Sequence, residues 1–312
     1  MAGNTITGAA GWLADFRLAP QDFTTIGHDV KRPECVLALR DGSILCSNKD
    51  SAVTVIAADG TQSETGKGLG LPNTFTLDDD GHLLVADLKL GAVLRLGRDG
   101  APAMLHDSWQ GEPLGSVNFV LAGEEPGVAW VSVSTRDPDY RTAIEAPKPD
   151  GRIFRIDAEG LHLAADGLYF PNAMQIDHQR GFFHVAETTA GTVSRARLNP
   201  DGTPGAFQRF GPAPLYPGAY TDGLALDAEG NVWVTELARN AIVVIDTDGV
   251  AHTVFEDPGG AVLNKPTGLA FGGPDQRSVY VGSLKMSVLP CFRAPVAGHS
   301  PRLWREGRNL LR

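Results

Sequence analysis

LALDAEGNVWVTELARNAIVVIDTDG, residues 224–249, is the stretch on which the fold turns. It holds three apolar runs, LALD (224–227), VWVTE (232–236) and AIVVID (241–246), separated by segments that carry Gly or Asn. Short runs rich in Val, Ile, Leu and Trp between turn formers read as strands joined by hairpins, and the closing Asp248-Gly249 is another turn signal. AHTVFE (251–256) follows as a fourth run.

Working outward, the same order recurs. Upstream lie VLAL (36–39), SILCS (43–47) and VTVI (53–56), then FTL (75–77), HLLVAD (82–87) and AVLRL (92–96). FVLA (119–122), VAWVSVS (128–134) and RIFRID (152–157) form a longer third copy, and MQID (174–177), FFHVAET (182–188) and TVSRARL (192–198) a fourth. Downstream come LAFG (269–272), SVYVGS (278–283) and SVLPCFR (287–293), the last weakened as a ladder partner by Pro290. Six antiparallel units of roughly 40 to 55 residues predict an all-β, six-bladed β-propeller, in which each sheet buries its faces against its neighbours. The expected single domain, 1–312, divides into blades at about 31–70, 71–115, 116–169, 170–219, 220–264 and 265–298. Outer strands are expected at APAMLH (101–106), GAFQRF (205–210) and AHTVFE (251–256). The sixth copy has no such run after it, so FTTIGHDV (23–30) is expected to supply its outer strand and close the ring.

Composition narrows the function. Lys plus Arg number 27 against 37 Asp plus Glu, a net charge of −10, which argues against a nucleic-acid backbone as partner. No apolar run approaches the roughly 20 residues that span a bilayer, and no leader pattern opens the chain, so no membrane partner and a cytoplasmic address are expected. Three cysteines without a CxxC pair fit reduced thiols. The eight histidines show no zinc spacing.

Aligning the copies puts one residue of each at the start of its inner strand: Glu34, Asn73, Asn118, Asn172, Asp222 and Thr267. The distance to the following turn glycine is 8 residues for Glu34, Asn73 and Asp222 and 9 for Asn118 and Asn172. In a propeller these positions converge on one mouth of the central channel. Turn chemistry accounts for any one of them, but not for six in phase. Two carboxylates and three carboxamides form an oxygen-rich set suited to Ca2+, Mg2+ or Mn2+. A second acidic series, Asp87, Glu187 and Glu236, ends the second strands and is expected in solvated turns at the opposite rim.

PEC (33–35), LPN (71–73), the Asn118 segment, FPNAMQID (170–177), TDGLALDAEGNVWVTE (221–236) and KPTGLAFGG (265–273) resemble the senescence marker protein (regucalcin) and gluconolactonase family of six-bladed propellers. The resemblance runs along essentially the whole chain. It implies a metal held by Glu34, Asn172 and Asp222, with Asn118 toward substrate and Asp222 as the base that activates water; Asn73, from the same ring, is a further candidate substrate contact. The implied cofactor is one divalent cation, Ca2+ first, with Zn2+, Mn2+, Mg2+ or Fe2+ as alternatives. Cys35 stands where the family has Gly, and Ser116 where some sugar lactonases carry Arg. The expected activity is metal-dependent hydrolysis of a small lactone, probed against two rivals: organophosphate or phosphoester hydrolysis at the same site, and a non-catalytic calcium-binding propeller.

Two further features complete the expectations. The longest connection, 134–151, carries Arg136, Tyr140 and Arg141 as candidate substrate contacts, because long loops on rigid scaffolds are often binding elements. Cys35 lies beside the metal position but has no local base, and is expected to be a small buried packing residue.

Overall fold

The apolar runs leave no face of the inner strands for water. In the second blade Pro72–Leu77 and Leu83–Asp87 are buried at every position, as are Thr221–Leu226, Val232–Glu236 and Ala241–Ile245 in the fifth. Continuous runs rather than strict alternation are what a strand covered on both faces requires. The outer strands differ, as in the largely exposed Pro102–His106.

The computed structural model describes residues 11–310. Six four-stranded antiparallel sheets follow one another along the chain, each ordered from the channel outward. Inner strands Val36–Ala38, Pro72–Leu77, Val117–Ala122, Pro171–Asp177, Thr221–Leu226 and Pro266–Gly272 pack in sequence around the axis, the sixth against the first. The molecule is a six-bladed β-propeller. A small hairpin, Ser108–Trp109 with Glu112–Pro113, sits outside the blades. The only α-helices among the described residues are Tyr140–Glu145 and Arg302–Arg305. None is long and apolar enough to cross a membrane.

Apolar clusters lie between blades. Leu84, Ala86 and Val93 meet Val117, Val120 and Val131 across the second boundary. Trp233 and Ile242 meet Leu269, Phe271 and Phe292 across the fifth. Trp12 stacks on Trp233 with ring centroids 6.1 Å apart and donates Nε1–H to Glu229 Oε2 at 3.0 Å.

The N-terminal strand closes the ring as the sequence predicts. Thr24–Ile26 pairs with Leu289–Arg293 through Thr24↔Cys291, Thr25↔Pro290 and Ile26↔Leu289. Phe23 fixes it by packing 4.5 Å from Phe255 and 5.3 Å from Phe292, centroid to centroid. Pro290 acts as its missing N–H requires: pairing with the second strand stops at Cys291.

The C-terminal segment has a place the repeat could not reveal. Its backbone joins the fifth blade through Ala228 N to Ala297 O (2.9 Å) and His299 N to Leu226 O (2.8 Å). Arg302 donates to Asp79 Oδ1 (2.5 Å) and Gly123 O (3.0 Å). Pro301 and Leu303 line a cavity with Ala38, Ala122, Ile176 and Phe271, at the far ends of the inner strands. The tail thus closes one end of the channel, and the polar ring lies at the other.

Candidate functional site

The ring owes its aim to a break repeated in the ladders. Pairing of the first two strands is interrupted between Pro72 and Thr74, Val117 and Phe119, Pro171 and Met174, Thr221 and Leu224, and Pro266 and Leu269. The residues passed over include Asn73, Asn118, Asn172, Asp222 and Thr267. In the first blade pairing starts at Val36, after Glu34. A bulge re-aims a side chain out of the pleat.

Hydroxyls from the preceding blade hold the freed carbonyls. Thr74 Oγ1 donates to Asn118 O (3.0 Å), Ser132 Oγ to Asn172 O (3.0 Å), Thr235 Oγ1 to Thr267 O (2.6 Å) and Thr267 Oγ1 to Glu34 O (2.7 Å). Thr267 therefore spends its hydroxyl on the seam between the last and first blades. Glycine permits the close approach at the last two seams: a Cβ on Gly223 would lie 2.2 Å from Thr267 O between the fifth and sixth blades, and one on Gly282 2.2 Å from Glu34 O between the sixth and first.

Glu34, Asn172 and Asp222, from the first, fourth and fifth blades, are only 5–6% exposed and border one cavity in the channel. Burial, then the negative charge of Glu34, pushes the Asp222 carboxyl well above its usual range, against the pull of Arg32 and the Asn172 amide. Burial likewise raises Glu34, against Arg32 and Asn73. Glu34 Oε2 is buried and makes no hydrogen bond, although Arg32 Nη2 is in ionic contact with it. Paired buried carboxylates with an oxygen to spare, beside a carboxamide, form a donor set that fits a hard divalent cation.

The other two asparagines form a relay beside this set. Arg32 Nη2 donates to Asn73 Oδ1 (3.0 Å), and Asn73 Nδ2 donates to Asn118 Oδ1 (3.0 Å). Asn118 Nδ2 takes no part in these bonds. Arg32 itself escaped the sequence reading. It sits at φ +59°, in the left-handed region unusual for a long side chain, one residue before Pro33. Phe170 and Lys265 share that conformation, each likewise followed by a proline and then a ring residue.

The acidic series Asp87, Glu187 and Glu236 corrects an expectation. These residues lie at the same rim as the ring, since Asp87 pairs with Pro72, Glu187 with Pro171 and Glu236 with Thr221. Antiparallel strands require it: the end of the second lies beside the start of the first. Nor are they solvated, at 0%, 4% and 0% exposure. Asp87 accepts from the backbone N–H of Gly70, Leu71, Lys89 and Leu90 at 2.7–3.1 Å. Glu236 accepts from those of Tyr220, Ala238 and Arg239 at 2.7–2.8 Å. They are internal ties for the loops around the mouth.

The long connection leaves the third blade at the same end, where Ser134 N bonds Ser116 O and Ser116 N bonds Thr135 O, both at 2.9 Å. Its candidate residues do not line the cavity with Glu34. Arg136 pairs with Asp166 at 2.7 Å and borders a separate cleft with Asp107, Glu112 and Arg152. Tyr140 begins the short helix capped by Asp139, and that carboxylate also grips Arg141 Nε (2.8 Å) and Nη2 (2.7 Å). Ser116 donates to Asp137 O at 2.7 Å. Burial pushes the Cys35 thiol up to about 12, in keeping with a packing residue. A second acidic group, Asp78, Asp80 and His82, already surrounds the Arg95 guanidinium, which bonds all three at 2.6–3.0 Å.

Comparison with known proteins agrees with this architecture. The sequence profile of the SMP-30/Gluconolactonase/LRE-like region matches residues 122–285. The pentonolactonase XacC of Haloferax volcanii is 35% identical over 133 residues, 42% of this chain and 44% of that protein. The 6-deoxy-6-sulfogluconolactonase of Pseudomonas putida is 27% identical over 134 residues, 43% of this chain and 45% of that one. Each match thus spans less than half of the relative's length. A calcium-binding protein, regucalcin, from Agrobacterium tumefaciens superposes with a TM-score of 0.70 at 18% identity, over 90% of this chain and 98% of that one. With its propeller fold and a profile match over more than half its length, the chain belongs to the SMP-30/gluconolactonase/LRE-like family.

Proposed function

We propose that the protein is a divalent-metal-dependent hydrolase that opens the ring of a sugar-acid lactone or a similar small lactone. The observation that carries this reading is the buried carboxylate pair, Glu34 and Asp222, beside Asn172 in one channel cavity. These three residues would hold the ion. Bound there, a divalent cation supplies Lewis-acid polarisation of the ring carbonyl. Two relatives named as lactonases support the reaction class, and the calcium-binding relative supports Ca2+ as the first ion to try.

The chain's own residues divide the remaining work. Asp222 is assigned to take a proton from the attacking water. Water adds to the carbonyl carbon, the ring C–O bond breaks, and the ring oxygen leaves as a hydroxyl after receiving a proton. Asn118 presents its free Nδ2 to a substrate oxygen, held in that orientation by Asn73. The connection with Arg136, Tyr140 and Arg141, which lies outside the channel cavity, is assigned to substrate groups that project from the mouth. A panel of sugar lactones on metal-stripped protein, with Ca2+, Mg2+, Mn2+, Zn2+ and Fe2+ restored singly, tests the reading. Turnover that returns with one or more ions is the expected result; activity indifferent to stripping, or absent with every ion, would refute it.

A further inference from the structure

Arg32 carries charge and donors that the proposed hydrolysis leaves unused. Its Nη2 serves Asn73 Oδ1 and touches Glu34, whereas Nη1 is buried and makes no hydrogen bond. A buried guanidinium nitrogen without an acceptor is costly and calls for a partner. The neighbouring cations are differently placed. Arg136 and Arg141 each have a carboxylate partner, and Lys265 Nζ donates to Leu237 O at 2.9 Å. Among the described residues at this rim, Arg32 is the cation that reaches the inner asparagines and keeps a donor to spare.

Charge points the same way. A divalent ion on Glu34 and Asp222 would neutralise both carboxylates and leave the Arg32 charge without its Glu34 partner, while the other acids of this rim, Asp87, Glu187 and Glu236, are taken up by backbone N–H groups. The whole chain carries −10 and repels anions at long range, but that repulsion is screened beyond about 10 Å at moderate salt. Selection for an anion must therefore come from a charge inside the mouth. A guanidinium beside a carboxamide is well suited to an oxyanion, through charge-assisted hydrogen bonds. The left-handed backbone at Arg32, φ +59°, holds this side chain in a conformation that long side chains rarely adopt.

We propose that Arg32 is a specificity residue that anchors an oxyanion substituent, a carboxylate or sulfonate, on the lactone. This deepens the lactonase reading and rests on it. The substrate would then be an acidic sugar lactone, bound with its carbonyl toward Glu34 and Asp222 and its anionic group on Arg32 Nη1.

D-glucono-1,4-lactone and D-glucaro-1,4-lactone test this, because they differ only in a hydroxymethyl group against a carboxylate. Binding to Ca2+-loaded protein is measured by calorimetry, with substrate turnover followed separately to obtain KM and kcat. The wild type is expected to favour the anionic lactone at least tenfold in Kd or KM, a preference that weakens with added salt. Arg32→Asn, which suits the left-handed backbone, should bring the ratio close to one, while Arg32→Lys retains part of it. A wild-type ratio near one, or a preference unchanged in Arg32→Asn with native melting, overturns the role of Arg32. Should Arg32→Asn not fold, a wild-type preference insensitive to salt overturns it equally. Absence of turnover with the binding preference intact would instead overturn the lactonase reading alone.

Discussion

At the scale of single residues, the mouth sets function against stability. Burial raises both Glu34 and Asp222, so ionising either carboxyl opposes folding in the metal-free protein. Glu34→Gln and Asp222→Asn should each weaken Ca2+ binding at least tenfold, about 1.4 kcal/mol. Asp222→Asn should leave the metal-free melting temperature equal or higher, since a neutral amide replaces a carboxyl whose ionisation burial opposes, whereas Glu34→Gln also takes the ion-pair partner from Arg32 and should gain less. Metal titration and thermal melts on one sample check both, and unaltered affinity in the two variants would remove these residues from the site. The carboxylates behind the mouth behave oppositely. Asp87 satisfies backbone donors from Gly70, Leu71, Lys89 and Leu90, so Asp87→Ala should destabilise by about 3 kcal/mol in chemical denaturation, whether or not metal is present. A loss under about 1 kcal/mol would show that water replaces the carboxylate there.

At the scale of elements, the seam between the sixth blade and the N-terminal strand decides whether the propeller is closed. Thr24–Ile26 contributes three paired residues, and Phe23 seats them against Phe255 and Phe292. Removing residues 1–26 would expose the edge at Leu289–Arg293, an invitation to aggregate. Phe23→Ala is the milder probe and should cost about 3 kcal/mol while leaving the other blades intact; a truncated protein with native cooperative melting would show that the strand is dispensable. Legibility in the sequence follows the same division. The closing strand was readable because FTTIGHDV matches the run the sixth copy lacks, and the polar ring because each member occupies the same position in its copy, whereas the choice of Glu34, Asn172 and Asp222 within that ring rests on the family resemblance. The bulges that aim them were not, since a break in pairing leaves the count to the turn glycine at 8 or 9. Arg32 has Phe170 and Lys265 as its counterparts in other copies, and because the residue type varies at this position the repeat gave it no signal. The rim of Asp87, Glu187 and Glu236 was legible in principle, because antiparallel pairing dictates it, but solvent exposure is the usual expectation for acids at turns. The C-terminal plug lies beyond the last repeat and had no pattern to betray it.

At the scale of the whole molecule, acid should loosen the ring through a histidine remote from the mouth. His184 lies in the fourth blade, paired with Gln175 and Arg195, 3% exposed, with a buried Nδ1 that finds no hydrogen-bond partner. Burial, then the adjacent Arg195, lowers it to about 4, with Asp177 pulling the other way. Arg195 cannot withdraw easily, because its guanidinium lies 4.3 Å from the Phe182 ring centre and 3.9 Å from that of Phe210. An unfolded chain protonates the same imidazole near pH 6.5, so between 6.5 and 4 the unfolded state binds the additional proton. The stability due to neutral His184 is therefore complete above pH 6.5 and is lost as pH falls toward 4, on the order of 3 kcal/mol in all. All other ionisable groups are common to the wild type and to a His184→Gln variant. The difference between the two proteins isolates the histidine. Denaturation of both between pH 7.5 and 4.5 should show the wild type losing stability more steeply, with the curves drawing together toward acid. Parallel curves across that window would mean that the folded protein takes up the His184 proton as readily as the unfolded chain, with Asp177 offsetting the burial and the charge of Arg195.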